Sequence, residues 1–313
     1  MKYPVTHPMT AALLSEKVGG RIIAGGGRDK GIDFLCRLGA PDGAGALAFC
    51  SVQDECAMSL IEASGADVVI CTRETAARLL TGPCSKTIIA VDNPRLAFAR
   101  AAKVLRGDLL VPPTSLATVG TSSQIAPSAV VSPNVVIGEN CCIGAGSWLG
   151  PGVVLETGIV VGQNCRIEAG AVIGGRGYGY VRDESGILID FPQLGRVIIG
   201  NAVDIGARTT IDCGSLQDTI IGDGTKIDDL AYVAHNVTIG RNCLIMASSI
   251  LCGGCTIGDG VEISPGAIIR ENVTVSKGAR VGLGSIVTRD VPSGLLVAGI
   301  PARPFGPLDP DRR

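Results

Sequence analysis

From Ile125 onward an aliphatic residue returns at every sixth position: Val131, Ile137, Ile143, Leu149, Leu155, Val161, Ile167 and Ile173. The phase breaks there and returns at Ile199, Ile205 and Ile211. After a second, shorter break it runs through Ile221, Ile227, Val233, Ile239, Ile245, Leu251, Ile257, Ile263, Ile269, Val275 and Val281 to Val287. A period of six matches neither a helix nor an amphipathic strand, whose periods are 3.6 and 2. It suits a solenoid in which each flat side uses one hexad and three sides close a coil, so that roughly 18 residues climb one level of a parallel-strand ladder.

Two further positions of the hexad carry information. Glycine repeatedly follows the aliphatic residue, as at Gly138, Gly144, Gly222, Gly240 and Gly258, and predicts tight corners that use its freedom in φ. Four places after the aliphatic residue comes a slot for something small, filled by Cys141, Cys165, Cys243 and Cys255. That register bears on Cys252-Gly-Gly-Cys255, which by spacing alone is a redox or half-zinc motif. Because Cys255 falls in the inward slot and no second C-x-x-C follows, packing is the expected role, and no metal site is expected.

Residues 1–107 lack the repeat. Helix-like patches, Met9 to Val18 and Pro94 to Leu105, alternate with the short apolar runs ALAFC, DVVIC and TIIAV, predicting a small N-terminal α/β domain that is a candidate for nucleotide binding. Residues 108–114, with a Pro-Pro pair, read as a linker, residues 115–292 as the β-helix domain, and residues 293–313 as an extended Pro- and Gly-rich tail. The fold class is therefore mainly β, a parallel β-helix of hexapeptide repeats behind an α/β domain.

Composition adds limits. With 46% hydrophobic residues but only 3% aromatic, the core must be filled by small aliphatics in a narrow, regular space. The 27 Lys and Arg nearly balance the 29 Asp and Glu, which implies no long-range field for nucleic acid. No continuous apolar stretch reads as a signal peptide or transmembrane segment, and the twelve cysteines are spread through a long chain, so a cytoplasmic protein with reduced thiols is expected.

Chemistry is expected where the scaffold is interrupted. The first break, Gly174 to Val197, holds Tyr178, Tyr180 and Phe191, aromatics suited to a substrate lid; its GGRGYG run has no following helix to make it a phosphate loop. Only two histidines occur, His7 in a leader and His235 in VAHNVTIG. His235 stands two places after the inward Val233, off the core slot, and the residue stacked one coil later is Gly253. An imidazole with open space beside it can take a proton near neutral pH, although a lone histidine is more often a structural hydrogen-bonder.

The segments GRGYGYV…FPQLGRVIIG, GARTTIDCGSLQDTIIG and KIDDLAYVAHNVTIG resemble the UDP-3-O-(3-hydroxyacyl)glucosamine N-acyltransferases of lipid A biosynthesis, hexapeptide acyltransferases with left-handed β-helices. The likeness covers residues 115–290, and more loosely VDNPRLAFARAAKVL in the first domain. It implies a homotrimer with active sites in the clefts between prisms, no bound cofactor, and an acyl donor carried as a thioester on the phosphopantetheine of acyl carrier protein. The implied acceptor is the 2-amine of a UDP-3-O-acyl-glucosamine.

Carried over position by position, the resemblance makes His235 the general base and gives Asp228, seven residues earlier, the task of orienting it; a solvated edge carboxylate is the equal alternative. Asn236, Asp212, Gly253, Tyr178 and Tyr180 become substrate-binding candidates, with Phe49 in a uridine-binding domain and Met246 as a candidate for the end of an acyl channel. Asp212 is equally suited to capping a turn. The chain departs from the pattern after Phe49, where CSVQDECA brings Glu55 near the place of a uracil-stacking aromatic, and at Asn272, where a second histidine is usual. The ending GSIVTRDVPSGLLVAGIPARPFG is similar to acetyl-CoA-dependent acetyltransferases of nucleotide-linked amino sugars. Three functions stay open: the long-chain N-acyltransferase, an acetyl-CoA-dependent N-acetyltransferase, and a non-catalytic β-helix binding protein.

Overall fold

The computed structural model describes residues 2–24, 27–36, 38, 44–52, 56–79, 84–106, 117–182 and 184–307. The chain forms two compact units, Met1–Leu109 and Leu110–Arg313. The linker expected at 108–114 lies outside the described residues, as does Glu55.

The first unit is a sheet of six strands in the order β1-β3-β4-β5-β6-β2, where β1 is Lys2–Thr10, β2 Arg21–Ala24, β3 Gly31–Cys36, β4 Ala46–Phe49, β5 Val68–Thr72 and β6 Thr87–Val91. Strands β3 to β6 run parallel, and β1 and β2 close the two edges antiparallel. Every residue of β5 and β6 is buried, as a parallel strand covered on both faces requires. Helices α1 (Ala11–Lys17), α2 (Cys56–Ala63), α3 (Arg73–Leu79) and α4 (Pro94–Arg106) complete the unit. Helix α4 starts where the sequence signals it: Asn93 accepts from the Leu96 N–H at 3.0 Å, and Pro94 takes the first position, where a missing N–H costs nothing.

The second unit is a left-handed parallel β-helix of two- and three-residue strands. Its first face stacks nine strands, from Thr118–Val119 to Ile286–Val287; its second stacks eight, from Gln124–Ile125 to Thr274–Val275. The third face begins at Val130–Val131 and has ten strands. From Ile137 on, the aliphatic residues of the six-residue period point inward at 0–3% exposure and form one continuous core. Each contributes about 1.5–3 kcal/mol by leaving water.

The glycines after the aliphatic residue serve a different purpose from the one expected. A Cβ at Gly138 would sit 2.7 Å from the Thr157 backbone nitrogen, and one at Gly144 would sit 2.4 Å from the Gly162 carbonyl oxygen, so these sites are glycine because the next coil passes too close. The left-handed backbone lies three residues after the aliphatic one, where Asn140, Asn164, Asn242 and Asn272 adopt φ of 54–58°. Asparagine tolerates that region better than most residues.

The small slot is also a donor slot. Cys141, Cys165, Cys243 and Cys255 are buried, and each thiol donates to a carbonyl of the next coil at 3.0–3.1 Å. Ser147 and Thr225 do the same with their hydroxyls at 2.8 Å. Burial pushes the Cys255 thiol up to about 12, which disfavours the thiolate that redox or zinc chemistry would need. No disulfide joins any of the twelve cysteines.

The first break folds as a loop carrying a two-stranded antiparallel hairpin, Tyr180–Arg182 with Leu188–Asp190. The segment expected to be an extended tail doubles back as an antiparallel pair, Leu295–Gly299 with Ala302–Pro307, whose first strand continues the third face in parallel with Arg280–Val281. Among the described residues no helix is long and apolar enough to cross a membrane.

Candidate functional site

Both breaks in the period fall on one edge of the prism, between the first and second faces. The edge carries the loop after Gly175, the short excursion Cys213–Asp218, and the turns at His235–Asn236, Gly253–Gly254 and Glu271–Asn272. Those turns and the excursion line a groove of about 640 Å³ that His235 enters.

Asn236 fixes the ring. Its left-handed backbone, φ 62°, follows the strand Tyr232–Val233, and its N–H donates to Thr219 Oγ1 at 2.9 Å. Its amide oxygen accepts from Ser215 N at 3.2 Å and Ser215 Oγ at 2.7 Å, while its Nδ2 donates to the Gln217 carbonyl at 3.3 Å. With the amide so oriented, the 2.8 Å contact between His235 Nδ1 and Asn236 Oδ1 requires Nδ1 to carry the hydrogen. Neutral imidazole then leaves the Nε2 lone pair open as a base.

Gly253 makes room for that ring. A Cβ there would lie 2.7 Å from His235 Cε1 and 2.8 Å from Nε2, so the imidazole occupies the space a side chain would fill. On the other side Gly177, in the inserted loop, leaves room for the His235 Cβ, 2.8 Å from where its own would be. The ring is thus held between two glycines, one on the coil above and one on the loop.

Asp212 is 4% exposed and accepts a 2.6 Å bond from the Tyr232 hydroxyl. Burial raises its carboxyl above the usual range, against the opposing pull of the Tyr232 bond and of nearby His235. The Tyr232 hydroxyl is pushed up in turn, by burial first and then by Asp212. An anionic carboxylate close to His235 favours the imidazolium that forms when the ring accepts a proton.

The structure therefore brings His235, Asn236, Gly253 and Asp212 together. Asp228 does not join them within the chain: it is exposed on the edge between the third and first faces, where its carboxylate accepts from Asp229 N at 2.9 Å. Within the chain it is Asn236 that contacts the ring, because Asp228 is one corner too early along the coil. Met246, half-buried, lies on that same other edge and does not line the groove. Tyr178 and Tyr180 are 77% and 45% exposed on the inserted loop, their rings edge to face at 5.1 Å. Phe49 is in the first unit, half-buried against Phe98 at 4.8 Å.

Sequence reasoning missed Tyr232, Ser215, Leu216, Gln217 and Glu271. The signal for the middle three was the second break in the period, which carries them. Asn272 sits on the Gly254 turn just as Asn242 sits on Gly224, its Oδ1 2.3 Å from where the glycine Cβ would be, so it continues the ladder of turn asparagines. Among the described residues no cluster of three or more His, Cys, Asp or Glu could hold a metal ion.

Residues 117–150, 143–175, 218–253 and 238–271 match the family described as bacterial transferase hexapeptide (six repeats). The chain is 35% identical over 202 residues to UDP-3-O-acylglucosamine N-acyltransferase of Coxiella burnetii, a match covering 56% of this chain and 57% of that protein. It thus spans a little over half the length of the curated relatives it matches. Among solved structures, UDP-N-acetylglucosamine acyltransferase of Francisella novicida superposes with a TM-score of 0.57 at 29% identity, over 62% of this chain and 70% of that one. LpxA of Acinetobacter baumannii gives 0.58 at 24% identity, over 63% and 74%, and supports the fold alone. The resemblance drawn from the motifs is borne out.

Proposed function

We propose that the chain is an N-acyltransferase that moves an acyl group from a thioester carrier to the amine of a nucleotide-linked amino sugar, in the lipid A type of reaction named for its relatives. One observation carries the reading: an imidazole with Nδ1–H held by Asn236 and Nε2 turned into an open groove over Gly253. The attacking nitrogen must lose a proton as its bond to the carbonyl carbon forms, and Nε2 is placed to take it. Asp212 compensates the charge gained by the ring, and a backbone N–H of the Gly253 turn stabilises the oxyanion. The tetrahedral intermediate collapses to amide and thiolate, and the imidazolium returns its proton to the sulfur.

The donor is proposed to be acyl carrier protein, through its phosphopantetheine, and the acceptor a UDP-3-O-acyl-glucosamine. The working unit is proposed to be a homotrimer. In it the His235 edge of one protomer faces the Asp228 and Met246 edge of the next, which completes a site that one chain leaves open.

The decisive assay offers long-chain acyl carrier protein and acetyl-CoA separately, each with a panel of nucleotide-linked amino sugars. The expected result is transfer from acyl carrier protein, reduced about 10²–10⁴-fold in His235→Ala. Turnover by that variant close to the unmodified rate would remove the general base from the account. The acetyl-CoA reading is favoured by the likeness of the segment GSIVTRDVPSGLLVAGIPARPFG to acetyl-CoA-dependent acetyltransferases, and transfer only from acetyl-CoA would select it.

A further inference from the structure

The groove at His235 holds a second titratable side chain. Its lining residues are Ser, Leu, Gln, Asn, Thr and Gly apart from His235 and Glu271. His235, Gly253 and Glu271 form one column on the edge, tied rung to rung by Gly254 N donating to the His235 carbonyl and Asn272 N to the Gly253 carbonyl, both at 3.0 Å. Rungs of a parallel ladder are about 4.8 Å apart. The His235 ring leans into the vacant place of the Gly253 side chain, which leaves about one rung between Nε2 and the turn that bears Glu271.

Glu271 is ionised in this setting. The hydrogen bond from Arg270 Nε, at 3.1 Å, holds its carboxyl below the usual range. The two side chains are each 57% exposed, so the pair is screened and leaves the carboxylate able to meet another cation. Among the described residues no lysine or arginine lines the groove. Arginines lie instead in the neighbouring groove beside the inserted loop, which Arg176 and Arg196 line. The wall around His235 is therefore matched to a ligand group that is neutral or positive.

We propose that Glu271 recognises the acceptor's amine, receiving it as a cation in the gap beside Gly253 and presenting it to His235. The inference rests on the reading of the chain as an amino-sugar N-acyltransferase and names the group that selects a free amine. Held as ammonium, the acceptor loses one proton to solvent through the open groove. The amine then attacks the thioester carbonyl, a second proton passes to His235 Nε2, the C–S bond breaks, and the imidazolium protonates the departing thiolate. Amide, thiol and one solvent proton account for all atoms and charge.

Binding without turnover tests this directly. Calorimetry compares a UDP-sugar bearing a free 2-amine with its uncharged N-acetyl analogue, on the full chain and on Glu271→Gln. The unmodified protein is expected to prefer the amine, and the variant to lose about tenfold in affinity for it while binding the analogue as before. In turnover, KM for the acceptor rises with kcat nearly kept, and Glu271→Asp recovers part of the loss. Equal affinity of the variant for the amine, equal loss for both ligands, or no preference in the unmodified protein would each overturn the proposal. Should the protein show the amine preference yet transfer no acyl group, the catalytic reading fails and the recognition role stands.

Discussion

At the residue scale the proposed chemistry depends on one ring having space. Gly253 does not adopt a left-handed φ, so alanine fits its backbone, and the nearest conflict is a methyl group 2.7–2.8 Å from the imidazole. Gly253→Ala is therefore expected to keep its melting temperature within a few degrees while kcat falls about 10²-fold, the usual cost of misplacing a reacting group by an ångström. A large loss of thermal stability would mean that the glycine serves the coil and not the ring. Asp212 makes a pH-dependent prediction. Its carboxyl lies above the ordinary value of 3.8, so between that value and its raised folded one the native state binds more protons than the unfolded state, and stability falls as pH rises. Asp212→Asn can keep the Tyr232 bond without the buried charge. Melting curves should show it more stable than the unmodified chain at neutral pH, with the gap closing as pH falls toward 3.8.

At the scale of elements, a rung of the coil needs an aliphatic residue, a close-approach glycine or its equivalent, a left-handed turn and a small donor. Replacing the buried thiol in Cys243→Ser keeps a donor to the Gly258 carbonyl and should alter unfolding free energy by within about 1 kcal/mol, whereas Cys243→Leu overfills the slot at about 1–3 kcal/mol. Denaturant titration of the two variants distinguishes a donor slot from a merely small one. The coil was legible because every inward position repeats with one period, and the 18-residue climb alone put Gly253 beside His235. What the period does not carry was less legible. Tyr232 reaches Asp212 across the second break, where residue spacing no longer reports height. Asp228 lies seven residues before His235, yet a corner intervenes and sends it to another edge. In the first unit α2 and α3 left no clear pattern, each being only two turns long, while the fully buried runs that became β5 and β6 stood out.

For the whole molecule, His235 lies on a different edge from Asp228 and Met246, so the proposed site draws on two neighbouring chains. If neighbouring chains share each site, His235→Ala and Asp228→Ala chains co-expressed and co-purified should regain activity that neither has alone, measured as acyl transfer per trimer; the absence of complementation would confine the site to a single chain. The doubled-back segment Leu295–Pro307 has a different consequence. A ladder of parallel rungs ends in bare peptide groups able to template another copy. Here Leu295–Gly299 covers the third face, Ala302–Pro307 runs against it in the opposite sense, and Val291 bridges Val275 on the second. At this end of the prism the third face therefore stops on a strand of reversed direction, which no longer offers the parallel rung that the coil repeats.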